Sequence, residues 1–152
     1  KQKYDECKIN RPKSTCECYA CVGPDYKLST VKGDFWKLEG SIDATRSKSN
    51  HTEPANCSTL THILEKNFID FKMYFNKNLE TEIDLLKIDV ENIECDVLEK
   101  MLNDQIYPTY LSVDFDLWNY NKVRCIEIIK KLIKNGYKII KQDGQDFSFF
   151  RN

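Results

Sequence analysis

Four carboxylates sit at the ends of two β-rich runs. Asp89 and Glu91 stand where the apolar run Ile83 to Val90 ends, and Asp114 and Asp116 close the run Thr109 to Phe115. Acids at such positions can orient a substrate hydroxyl, take its proton or ligate a hard cation such as Mg²⁺. In an open α/β sheet the carboxyl ends of the strands border a crevice, so neighbouring parallel strands would bring all four acids to one edge. The plainer reading leaves them solvated, or capping the helices that follow, where a negative charge is favourable by itself.

The cysteines are the second group with chemical potential. Cys7, Cys16, Cys18 and Cys21 crowd into the first 25 residues, and thiolates so spaced can reach one metal ion. The spacing is not a standard one and no second Cys-x-x-Cys accompanies it, so the sequence favours packed thiols in a reducing compartment. The total of seven is odd, which does not suit a purely intramolecular disulfide framework. His51 and His62 lack ligand-spaced partners. Asn50-His51-Thr52 and Asn56-Cys57-Ser58 match the glycosylation sequon within a stretch so rich in Asn, Ser and Thr that chance matches are expected.

Composition narrows the partners. The 152 residues carry 23 basic and 24 acidic side chains, a net charge of -1, which gives no general attraction to a phosphate backbone and argues against nucleic acid. Lys122, Arg124, Lys130, Lys131, Lys134, Lys138 and Lys141 read as a solvated face. No apolar run approaches the roughly 18–20 residues that span a bilayer, so no membrane span is expected. At this length roughly 68–70% of the unfolded surface is removed from water, enough for a core without disulfides or metals.

The elements that must position the acids follow from periodicity. Residues 43–58 are polar and read as a surface loop; Ser58 then caps a short helix carrying Leu60, Ile63 and Leu64. Ile83 to Val90 suits a parallel strand covered on both faces. A helix from Ile93 to Asn103 buries Val97, Leu98, Met101 and Leu102. After the strand Thr109 to Phe115, a helix from Asn121 to Asn135 turns Val123, Ile126, Ile129 and Ile133 inward and stops at Gly136. Tyr137 to Lys141 and Phe147 to Phe150 close a hairpin about Gln142-Asp143-Gly144. Upstream, Tyr26 to Val31 and Phe35 to Ile42 form a hairpin about Lys32-Gly33-Asp34 that decorates the sheet. The class is α/β, a doubly wound sheet ending in an antiparallel hairpin.

Around the first acid pair the residues resemble a family. Asp84-Leu85-Leu86-Lys87-Ile88-Asp89-Val90-Glu91-Asn92-Ile93-Glu94, followed by Val97-Leu98, is similar to the FkbM-type methyltransferase signature D-L-L-K-I-D-V-E-G-x-E-x-x-V-L. Only Asn92 departs from it, and Asn is the non-Gly residue best suited to positive φ at that strand-to-helix turn. Thr59-Leu60 resembles the family's T-L-D-x-L segment with Thr61 in place of the acid, and Leu111 to Phe115 resembles its strand ending in an acid. Asn10-Arg11 before Cys18 to Gly23 is similar to its helix end and third strand.

The resemblance implies an S-adenosylmethionine-dependent enzyme of Rossmann-like fold, its sheet mostly parallel with a C-terminal antiparallel hairpin. It implies methyl transfer to a hydroxyl of a sugar or other small molecule or glycan, with Asp89 and Glu91 at the catalytic edge and Asp114 and Asp116 beside them. The family's glycine-rich cofactor loop is missing: the five glycines, at 23, 33, 40, 136 and 144, are scattered. Residues 1–152 are therefore expected to be one domain, the C-terminal portion of a methyltransferase domain lacking its first two strands. A non-enzymatic remnant or interaction domain is the alternative. Without those strands, the one near residues 15–22 is expected to pair beside Ile83 to Val90 or to stay detached.

Overall fold

The computed structural model describes residues 2–16, 19–23, 29–34, 39–41, 52–55, 57–67 and 83–152. In chain order these form α1 (Gln2–Asn10), β1 (Ala20–Cys21), β2 (Ser29–Asp34), β3 (Glu39–Ser41), β4 (Thr52–Ala55), β5 (Cys57–Ser58) and α2 (Leu60–Asn67). Then come β6 (Leu85–Ile88), α3 (Glu94–Asn103), β7 (Tyr110–Asp114), a 3-10 turn (Asp116–Asn119), α4 (Lys122–Lys134), β8 (Tyr137–Asp143) and β9 (Asp146–Arg151).

The expected α/β class holds. Four strands form a sheet in the order β6-β7-β9-β8. β6 and β7 are parallel, with Ile88 opposite Val113, while β9 runs antiparallel to both β7 and β8. The C-terminal hairpin is thus present and inserts β9, not β8, beside β7. Its Asp143 faces Asp146, so Gly144 and Gln145 make the turn, and Gly144 takes φ +61°.

Alternation decides which side chains are inside. Leu111, Val113, Phe147 and Phe149 are buried, and the rings of Phe115 and Phe147 meet edge to face at 5.5 Å. Tyr137 is buried too, its hydroxyl donating to the Pro108 carbonyl at 2.8 Å. β6 is not covered on both faces as its sequence suggests: Leu85 and Lys87 are exposed, and the buried Ile88 carries the inner face.

α3 buries Val97, Leu98, Met101 and Leu102 as its spacing requires, with Cys95 added. α4 corrects the sequence reading. Its buried residues are Cys125, Ile128, Ile129 and Leu132, while Val123 is 67% and Ile133 50% exposed and Ile126 also faces outward. At 100° per residue the true stripe is rotated by about 100° from the expected one. Cys125 behaves as a small hydrophobe and decides the phase. The helix ends are as expected: the Asn121 side chain accepts from the Arg124 N–H at 3.2 Å, and Gly136 stops the helix with φ +93°. Arg124 pairs with Asp96 at 3.3 Å and with Glu99, and Lys131 also reaches Glu99, tying α4 to α3.

The N-terminal half departs further. Thr52–Ala55 and Cys57–Ser58 are strands within the stretch expected to be loop. β2, β3 and β4 make a separate antiparallel sheet, and Lys32-Gly33-Asp34 belong to β2, with Gly33 opposite Gly40. Residues 35–38, which join β2 to β3, lie outside the described residues. β1 pairs with β5 in parallel; it neither joins β6 nor stands alone. Thr59, not Ser58, caps α2, its hydroxyl accepting the His62 N–H at 3.3 Å. Val22 and Leu60 join the common core, and Gly23 packs so closely on α3 that an added Cβ would come within 3.0 Å of the Asp96 Cβ. His51, Asn50 and Asn56 lie outside the described residues.

Candidate functional site

The parallel pairing of β6 with β7 sends both strand ends to the same edge. Asp89 follows β6 directly, Asp114 ends β7, and Asp116 opens the 3-10 turn. One carboxylate oxygen from each lies within 4.8 Å of the others. Oxygens this close can fan out towards several hydroxyls or converge on one hard cation.

Gln145 braces the group. Its side-chain amide donates to Asp114 Oδ1 at 2.8 Å and to Asp116 Oδ1 at 3.0 Å, while Asn119 Nδ2 donates to its oxygen at 2.8 Å. Its own carbonyl accepts the Phe115 N–H at 3.1 Å. Sequence reading missed Gln145, since nothing in a Gly-Gln turn announces a site. The available signal was topological: β9 antiparallel to β7 returns the hairpin turn to the end where Asp114 lies.

Charge is unevenly matched. Lys87 Nζ meets Asp89 Oδ2 at 3.1 Å, and that carboxylate raises the lysine above its ordinary pKa. Burial, followed by the charge of Asp114, raises Asp116. The Glu91 side chain also lies within hydrogen-bonding reach of Asp116, and this contact, like that of Gln145, opposes the rise.

Glu91 reaches that position because the chain turns left-handed. Glu91 has φ +51° and Asn92 φ +77°, the latter as expected for a residue standing at a glycine position. The turn is fixed from α3: Glu94 Oε1 accepts the Asn92 N–H at 2.6 Å. Glu94 is fully buried, and its Oε2 has no hydrogen-bond partner. Burial pushes its carboxyl up to about 7, reinforced by the Asp116 charge and opposed by backbone N–H groups at 92, 94 and 117. This residue lies inside the sequence signature but was not singled out there, because a Glu in the first turn of a helix looks like a solvated cap.

The structure thus brings Asp89, Asp114 and Asp116 together, with Glu91 against Asp116. Cys18 lies outside the described residues; among those described, the acidic trio is the group whose ligand atoms cluster for a metal. No helix among them is long and apolar enough to cross a membrane. Trp118 packs on Phe147 at 5.1 Å under the Lys122 ammonium.

Comparison with known proteins adds one positive finding. The profile of the methyltransferase FkbM domain matches residues 2–139. No curated protein and no solved structure matches the chain.

Proposed function

The chain belongs to the methyltransferase FkbM domain family, and from that membership we propose S-adenosylmethionine-dependent methyl transfer to a hydroxyl of a sugar, glycan or other small molecule. In this reading residues 1–152 are the C-terminal portion of a Rossmann-like methyltransferase domain, and they carry the acceptor side of the site. The supporting observation is the convergence of Asp89, Asp114 and Asp116 at the ends of two parallel strands, with Asp89 inside the most specific stretch of the signature.

S-adenosylmethionine supplies the methyl group when bound. Its amino-acid and ribose ends require backbone N–H donors at a tight glycine turn and an acid for the ribose hydroxyls. The described glycines do not fit that need. Gly23 is held against Asp96, Gly33 and Gly40 face each other across strands, and Gly136 and Gly144 serve a helix stop and a hairpin turn.

What these residues can do concerns the acceptor. Asp89, partly exposed and free to turn from Lys87, accepts the hydrogen bond of the hydroxyl to be methylated and takes up its proton as the oxygen reacts. Asp114 and Asp116, locked by Gln145, accept from a neighbouring hydroxyl and fix the acceptor's orientation. A polyol satisfies this row of acceptors better than a molecule with one polar group.

The test is a labelled-methyl transfer assay with the complete enzyme against a panel of sugars, simple alcohols, amines and carboxylic acids. Label is expected in alkali-stable methyl ethers of polyols. Label confined to amines or to alkali-labile esters would refute the proposal.

A further inference from the structure

The chain reverses direction after α1. The Arg11 N–H donates to the Cys7 carbonyl at 2.9 Å and the Ser14 N–H to the Arg11 carbonyl at 3.0 Å. This return brings the Cys16 Sγ to 3.2 Å from the Cys7 Sγ, with both residues only half-buried. A disulfide has its sulfurs about 2.05 Å apart, so about 1 Å of closure, within reach of small side-chain rotations, separates this contact from a bond.

We propose that Cys7 and Cys16 are a redox pair that closes to an intramolecular disulfide, tying α1 to the segment leading into β1. With glutathione disulfide as oxidant, the thiolate of one cysteine attacks it, forming a mixed disulfide and releasing one glutathione thiolate. The second cysteine, deprotonated in turn, attacks the protein sulfur of that mixed disulfide and expels the second glutathione thiolate. The two cysteines lose two electrons and two protons; the glutathione disulfide gains both electrons, and the protons end on the two glutathione thiols.

The other described thiols are poorer candidates. Cys95 and Cys125 approach to 3.9 Å, but both are fully buried, and burial raises both thiols above the ordinary range. Burial also pushes Cys21 up to about 11. Cys16 is raised as well, chiefly by its hydrogen bond to Cys7, but the charges of Lys8 and Arg11 oppose that shift and favour its thiolate. The pair differs from packed, inert thiols in being mutually in contact and reachable from solvent.

The test is incubation of the chain with excess glutathione disulfide at pH 8, followed by thiol counting under denaturing conditions and non-reducing tryptic mapping. The seven thiols are expected to fall to five, with residues 4–8 linked to residues 14–27 and fragmentation placing the bond at Cys16. Dithiothreitol should restore all seven. Cys7→Ser and Cys16→Ser should each prevent the loss, whereas Cys18→Ser should leave it intact. Seven thiols remaining, a bond from Cys7 to Cys18 or Cys21, or stoichiometric zinc released by a thiol reagent from the purified chain would each overturn the proposal.

Discussion

Replacing Glu94 by Gln should abolish one segment of the protein's pH–stability profile. Glu94 is fully buried and its carboxyl is raised from the ordinary 4.5 to about 7. Between those values the folded protein holds a proton that the unfolded chain has released, so stability falls as pH rises through the window. The stabilisation relative to high pH is fully present below about 4.5 and gone above about 7. At about 1.36 kcal/mol per pKa unit, the shift corresponds to about 3 kcal/mol. Glu94→Gln keeps an oxygen for the Asn92 N–H but cannot ionise. Urea denaturation of both proteins from pH 4.5 to 8.5 should therefore show the variant gaining about 3 kcal/mol on the wild type across the window, roughly 6–12 °C in melting temperature for a domain of this size. Titrations common to both, including that of Asp116, largely cancel in the difference. A wild-type–variant difference that stays constant from pH 4.5 to 8.5 would refute the claim that Glu94 ionises at a cost inside the fold.

Other expectations test the packing, the turn and cofactor binding. Ile128→Ala should cost about 2–5 kcal/mol in denaturant unfolding, because a fully buried side chain leaves a cavity, whereas Val123→Ala should stay within about 0.5 kcal/mol. Equal costs would return α4 to the phase its isoleucines suggest. At Asn92, φ +77° means that Asn92→Gly should be neutral or stabilising, while Asn92→Val should lose about 1–2 kcal/mol, read from the same unfolding curves. Calorimetry of the folded 152-residue chain with millimolar S-adenosylmethionine should give no saturable heat, since weak contacts from one wall do not offset several kcal/mol of lost ligand freedom; a micromolar dissociation constant would show that the chain holds a donor site.

Residues 83–152 were legible because each element carries its own signal. Alternation marks β7 and β9, the i, i+4 leucines and valines mark α3, and Asn121 and Gly136 bracket α4. The phase of α4 was not legible, since Ile126, Ile128, Ile129 and Ile133 offer more apolar positions than one face needs and only tertiary contact chooses among them. The strands at 52–58 were hidden by Thr, Glu, Pro, Asn and Ser, whose pairing depends on partners distant in sequence. The acids of the candidate site could be read because parallel strands send their ends the same way. Gln145 and Glu94 could not, as each acquires its place from register and burial rather than from residue type.

Whether Asp89 receives the proton of the methyl acceptor is decided by Asp89→Asn. Its ion pair with Lys87 is solvent-exposed and screened by water, so the variant should fold with nearly unchanged stability. Loss of a positioned general base costs about 10²–10⁴-fold. Methyl transfer by the complete enzyme carrying Asp89→Asn should therefore fall by that factor in kcat, with circular dichroism and melting unchanged. Wild-type turnover in a folded Asp89→Asn protein would contradict the account.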